Sequence, residues 1–187
     1  MLILASASPR RKEILELVKL DFKVCPSDID EKKLEYHGEK EDYPAFLSCS
    51  KALNVYQKHP NDIIIAADTI VIVDGEVLGK PINEDGAKAM LRKLSNNKHI
   101  VITGVTVKTK DKCLTFSNRS EVYFYPLSEE EIDSYIKTKE PMDKAGAYAI
   151  QGIGSKFIKG INGDFYNVMG LPISELLHLL DENKIKY

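Results

Sequence analysis

Four short segments hold residues whose types and spacing suit chemistry. The first is Ser6-Ala7-Ser8-Pro9-Arg10-Arg11, between a short apolar run and a stretch of helical periodicity. A helix N-terminus offers unpaired N–H groups and partial positive charge, so it stabilises anions. Ordinary helices place Asp or Glu in that first turn, but here Arg10, Arg11 and Lys12 stand there against the dipole. A bound polyphosphate would reverse that penalty, because guanidinium forks bind phosphate oxygens in pairs. Ser6, Ser8, Arg10 and Arg11 are therefore candidate phosphate contacts; a solvated basic turn is the plainer alternative. The second segment is Ala66-Ala67-Asp68-Thr69, inside the most apolar run of the chain, IIIAADTIVIV. A carboxylate there is costly unless it is paired, hydrogen-bonded or metal-bound, or opens into a cleft at a strand end. Asp68 is thus either a functional carboxylate or a hydrogen-bonded strand-end aspartate.

The third segment, Gly75 to Lys80-Pro81, resembles a phosphate loop only superficially. It lacks the spacing and the Ser/Thr that a Walker A loop requires, leaving Lys80 as a point-charge phosphate contact or a surface lysine. The fourth runs from Glu140 to Gly152, rich in small residues and carrying Gln151 near its end. A Gln amide both donates and accepts, as recognition of a pyrimidine edge requires; a tight packing loop is the alternative. Other chemistries find little support. His37, His59, His99 and His178 form no zinc spacing and read as surface or packing residues. There is no G-x-S-x-G elbow and no G-x-G-x-x-G turn.

The elements that must position these residues follow from periodicity. Leu2 to Ala5 reads as a buried strand, and Ser8-Pro9 opens a helix with Ile14, Leu15, Leu17 and Val18 as its apolar face. Phe22 to Cys25 reads as a strand, residues 31 to 43 as a polar loop, and Ala45 to Lys58 as a helix with Phe46, Leu47, Leu53 and Val55 among its apolar positions. Ile63 to Val73 is a strand, returned through Glu76-Val77-Leu78 by an Asp74-Gly75 hairpin turn. Asn83 caps a helix to Leu94, and two long strands flank Asp111-Lys112. Ser128 and Glu131 form a capping box for a helix to about Lys137. Lys156 to Ile161 and Asp164 to Val168 flank an Asn162-Gly163 turn, and Pro172 to Leu180 closes the chain as a helix. Helices and hairpins interleave, so the expected fold is mixed α/β or α+β with a mixed sheet, not an all-parallel one.

Composition removes further classes. The 187 residues suit one domain, 1–187. Twenty-six basic residues against 28 acidic ones give a net charge of −2, which argues against binding to polymeric nucleic acid. Cys25, Cys49 and Cys113 are few and widely spaced, as free thiols of a reducing compartment are. The apolar start precedes its charges, the reverse of a signal peptide, and is too short to span a membrane. A cytoplasmic protein without a membrane partner is expected.

Taken in order, the segments LASASPRRKEIL (4 to 15), Asp30-Glu31, Lys51-Ala52, AADTIVIVDGEVLGKP (66 to 81), HIVITGV (99 to 105), EPMDKAGAYAIQGIG (140 to 154) and GDFYNVMGLPISE (163 to 175) span nearly the whole chain. Together they resemble the Maf family of nucleotide pyrophosphatases. The resemblance implies an elongated mixed sheet flanked by helices, in two lobes with a central cleft, like inosine triphosphate pyrophosphatases. It implies hydrolysis of a nucleoside triphosphate to monophosphate and pyrophosphate with a divalent metal, Mg²⁺ or Mn²⁺. Ile150-Gln151-Gly152 after Asp143-Lys144-Ala145-Gly146 resembles the branch acting on dTTP and UTP. By that resemblance Asp68 is the proton acceptor, and Arg10, Thr69 and Gln151 govern substrate choice. Ser48-Cys49-Ser50 is more polar than the family usually shows, and Met169 replaces a commoner Val. Neither touches those positions.

Cleavage between the α- and β-phosphates needs an activated water, charge neutralisation and positioning. Asp68 is the expected carboxylate, as base, metal ligand or both, with Glu31 a second candidate for the metal. Arg10, Arg11, Lys51 and Lys80 would neutralise the triphosphate, and Thr69 and Gln151 would read the base. The family's associations add house-cleaning of modified pyrimidine nucleotides, a link to cell-division arrest, and a lean toward a homodimer. The competing expectation is a nucleotide-binding septum-formation regulator without catalysis.

Overall fold

The computed structural model describes all residues, Met1–Tyr187. Seven strands form one mixed sheet: β1 (Leu2–Leu4), β2 (Phe22–Val24), β3 (Ile63–Val73), β4 (Glu76–Leu78), β5 (Lys98–Lys108), β6 (Cys113–Phe124) and β7 (Ile158–Asn162). Their order is β2-β1-β3-β5-β6-β7, with β4 paired to β3. β1 runs parallel to both β2 and β3, whereas β3–β4 and β6–β7 are antiparallel. The helices are α1 (Pro9–Leu17), α2 (Tyr43–Lys58), α3 (Glu84–Leu94), α4 (Glu129–Lys137), α5 (Phe165–Met169) and α6 (Ile173–Glu182). The mixed α/β class expected from the sequence is the one observed. No helix is long and apolar enough to cross a membrane.

The chain folds as two compact units. One comprises Met1–Asp68, Thr103–Asn118 and Gly170–Tyr187; the other comprises Thr69–Ile102 and Arg119–Met169. In the first, Ala52 and Val55 of α2 pack on Ile3, Ala5, Ile64 and Ala66. Alternate residues of a strand share a face, so Ile64 and Ala66 put Asp68 on the face that α2 covers. α2 begins at Tyr43, ahead of the expected Ala45, with Pro in its first turn. Its start lies directly on β5: a Cβ at Gly104 would stand 2.3 Å from Ala45 N and from Pro44 C. In the second unit, α3 and α4 bury Leu91, Leu94, Ile132 and Tyr135 with Val71, Val101, Phe124, Tyr148 and Phe157.

Local signals mostly behave as their chemistry dictates. Asp74 and Gly75 both take positive φ, 50° and 75°, as the hairpin turn requires. Asn83 Oδ1 accepts from Gly86 N at 2.8 Å, and the Ser128/Glu131 capping box is complete. Three details differ from expectation. Ser8 is the N-cap of α1, but its side chain makes no capping bond; its own N–H donates to Ser6 Oγ at 3.2 Å. Leu17 and Leu53 are exposed, because helical phase turns each away from the stripe its neighbours bury. The polar segment 31 to 43 contains two short 3₁₀ turns, Glu31–Lys33 and Lys40–Asp42. After Gly163 the chain enters a helix, α5, an element type that the turn signal alone does not specify. Asp164 Oδ1 accepts from Tyr166 N at 2.7 Å and so starts a helical turn.

Candidate active site

In the first unit, Asp68 follows the buried run 64–67 of β3, and Lys51 stands one residue before Ala52 on α2. The packing of that helix on the strand brings them together. Lys51 Nζ donates to Asp68 Oδ1 at 2.6 Å and lies 2.9 Å from Glu31 Oε1. Lys51 and Asp68 are mostly buried, with 13% and 15% of their side chains exposed, whereas Glu31 is half exposed. One ammonium thus gathers two carboxylates from separate elements. Asp30 Oδ1 accepts from Lys32 N and caps the 3₁₀ turn that carries Glu31. The Asp68 charge is paired, at the edge of solvent.

Arg11 lies in the same unit. Its Nε donates to Gly170 O at 2.8 Å and its Nη1 to Ser6 Oγ at 3.1 Å. Burial lowers the guanidinium's pKa from its ordinary value, with Arg10 adding to that effect and Asp68 and Glu31 opposing it. The group stays charged at neutral pH. Ser6 thus holds Arg11 and the Ser8 backbone together, fixing the shape of the turn between β1 and α1. Arg10 and Ser8 are partly exposed on that turn.

The second unit carries the other candidates. Thr69 follows Asp68 on β3 and is partly buried, Lys80 is exposed beyond β4, and Gln151 is partly buried. Gln151 precedes a 3₁₀ segment, Gly152–Phe157, and follows the buried run Tyr148-Ala149-Ile150. Tyr148 Oη lies 2.7 Å from His99 Nε2, with both rings packed edge-on to Phe124. His99 is the packing histidine that its sequence context allowed.

The donor set bears on a metal. No group of three or more His, Cys, Asp or Glu side chains is placed to hold an ion. Asp68 and Glu31 are nevertheless two hard oxygen donors already converging on one cation, the Lys51 ammonium. Magnesium and manganese accept oxygen ligands and retain waters, so two carboxylates with substrate phosphates fit such an ion.

A sequence profile described as Maf-like protein matches residues 1–183. The chain belongs to the Maf family. Similar proteins include one from Acholeplasma laidlawii (strain PG-8A) named dTTP/UTP pyrophosphatase, 48% identical over 185 residues, covering 99% of this chain and 97% of that one. A second, from Bacillus mycoides (strain KBAB4) and named alike, is 48% identical over 181 residues, covering 97% and 94%. Among solved structures, a HAM1 protein from Coxiella burnetii matches with a TM-score of 0.53 at 14% identity, covering 97% and 98% of the two chains. That likeness bears on the fold alone.

In this member of the Maf family two further residues, one in each unit, were not singled out by sequence. Tyr43 opens α2, and its hydroxyl pKa is raised by burial and by the fields of Glu31 and Asp68, partly offset by Lys51. A tyrosine at a helix start carries no spacing signal. Glu140 opens the fourth segment, yet its carboxylate makes contacts far along the chain that only the folded loop reveals.

Proposed function

We propose that this chain hydrolyses dTTP and UTP to the nucleoside monophosphate and pyrophosphate. The observation that carries the reading is the convergence of Asp68 and Glu31 on the Lys51 ammonium. It occurs in a chain whose near-full-length relatives are named dTTP/UTP pyrophosphatase. Asp68 takes the proton of the attacking water, from a partly buried position at the edge of solvent. Glu31 is the second carboxylate, and with Asp68 would hold Mg²⁺ or Mn²⁺. When bound, such an ion supplies charge neutralisation at the phosphates and a more acidic water. Arg11, fixed by Ser6 and Gly170, presents a preformed cation to the triphosphate, so little ordering is left to bind it. Arg10, Lys51, Lys80, Ser6 and Ser8 are the remaining phosphate contacts, and Thr69 and Gln151 read the pyrimidine with Arg10. The reading takes residues 1–187 as one functional domain, since the family profile runs through both compact units.

The test is product analysis with dTTP, UTP, dCTP and GTP in the presence of Mg²⁺. Pyrophosphate and monophosphate are expected, with dTTP and UTP preferred. Orthophosphate and diphosphate as products would exclude α–β cleavage. Tight triphosphate binding without turnover over hours would point instead to a non-catalytic regulator. Competition by modified pyrimidine triphosphates would extend the substrate range without altering the chemistry.

A further inference from the structure

Within the second unit, the segment 149–154 leads into the 3₁₀ turn at Gly152 and is held at three amides by two side chains. Glu140 Oε1 accepts from Gly154 N at 3.0 Å and from the Tyr135 hydroxyl at 2.9 Å, and Oε2 accepts from Ile153 N at 3.1 Å. The Tyr135 oxygen in turn accepts from Ala149 N at 3.2 Å. The tied amides at 149, 153 and 154 bracket Gln151 on both sides. The clamp itself is rigid: Tyr135 is buried in α4 with its ring edge-on to Phe157, and Glu140 N donates to Thr138 Oγ1 at 3.2 Å.

The fit leaves no room for other residues in the loop. Gly152 has φ of +76°, and a Cβ there would stand 2.8 Å from Glu140 Oε2. A Cβ at Gly154 would stand 2.6 Å from the Tyr135 hydroxyl. Such close approach is available only to glycine without displacement. All three groups facing Glu140 donate, so the position needs an acceptor-only side chain. Burial works against its charge, but the amides of Gly154 and Ile153, the Tyr135 hydroxyl and Lys144 outweigh it and hold the carboxyl below its ordinary pKa.

We infer that Glu140, with Tyr135, is a positioning residue that fixes the Gln151 loop and thereby sets the discrimination between bases. The inference rests on the reading of Gln151 as a base contact. A packing role alone would lower stability and scale turnover equally for every nucleotide. A positioning role changes the ranking of nucleotides, and does so mainly through KM.

The experiment compares kcat and KM for dTTP and dCTP in the wild type and in Glu140→Gln, Tyr135→Phe, Gln151→Ala and the Glu140→Gln/Gln151→Ala double variant, each checked for folding by thermal melting. In Glu140→Gln an amide NH₂ meets a donor, so the ratio of kcat/KM for dTTP over dCTP is expected to fall at least ~10-fold. Tyr135→Phe is expected to move it in the same direction by several-fold. The double variant is expected to be no less selective than Gln151→Ala alone, since both changes act through one contact. A folded Glu140→Gln protein whose ratio stays within twofold of the wild type would overturn the inference, as would additive losses in the double variant. Should Glu140→Gln fail to fold, an unchanged ratio in Tyr135→Phe overturns it. A wild type that does not separate dTTP from dCTP removes the Gln151 reading itself, and this inference with it.

Discussion

At the scale of single residues, Asp68 is where sequence and structure meet most directly. An aspartate within an apolar strand signals cost, and the cost is met by Lys51 at 2.6 Å. Lys51 also holds Glu31 at 2.9 Å, so the cluster does not depend on Asp68 alone. Asp68→Asn is then an informative change. It keeps the size of the side chain and an oxygen that the ammonium can approach, while removing the basicity. Turnover of dTTP and UTP is expected to fall at least ~100-fold, the lower end for loss of a general base. The thermal midpoint should move little. Steady-state kinetics on the folded variant decide the matter, and near-normal turnover takes Asp68 out of the proton-acceptor role.

At the scale of elements, the contact that positions Lys51 is the seat of α2 on β5 at Gly104. Gly104 has an ordinary backbone conformation; what it supplies is the absence of a side chain where Pro44 and Ala45 backbone atoms come within 2.3 Å of its missing Cβ. Gly104→Ala must therefore lift the start of α2. A loss of ~1–3 kcal/mol is expected from overpacking, with a lower kcat because the same helix carries Lys51. Urea denaturation measures the first, and an unchanged midpoint would show that the helix start yields without cost. This contact also marks the limit of sequence reading. The Asp74-Gly75 hairpin, the Asn83 cap and the Ser128/Glu131 box are local, each decided by a few adjacent residues, and each appears as expected. The Asp68–Lys51–Glu31 cluster joins three separate segments, and only the family resemblance put Lys51 and Glu31 beside Asp68 as candidates. Gly104 under α2, Tyr43 and the Glu140 clamp are products of long-range packing with no local spacing to announce them. The Asn162-Gly163 turn signal leaves the type of the 164–168 segment open, and one side-chain bond from Asp164 starts a helix there.

At the scale of the whole molecule, His99 ties stability to pH. Its imidazole is buried against Phe124 and Tyr148, and its Nδ1 has no hydrogen-bond partner. Burial pushes its pKa down from 6.5 to about 3. Between those values the unfolded chain binds a proton that the folded chain refuses. The contribution of His99 is therefore fully present above pH 6.5 and is lost as pH falls toward the folded pKa, at up to ~1.4 kcal/mol per pH unit. Carboxylates held below their ordinary values, such as Glu121, Glu129 and Asp133, also lose their contribution on acidification. They do so only below roughly pH 4.5, where an ordinary carboxyl protonates. The window between roughly pH 4.5 and pH 6.5 thus isolates the histidine, and roughly 2–3 kcal/mol should disappear across it. Urea midpoints measured at half-unit steps of pH test this in the wild type and in His99→Gln. The variant should be less stable at pH 7, because Tyr148 loses its ring partner at 2.7 Å, but its stability should stay flat through that window. A wild type equally stable at pH 6.5 and pH 4.5 would mean that the second unit opens enough to let His99 take its proton while folded.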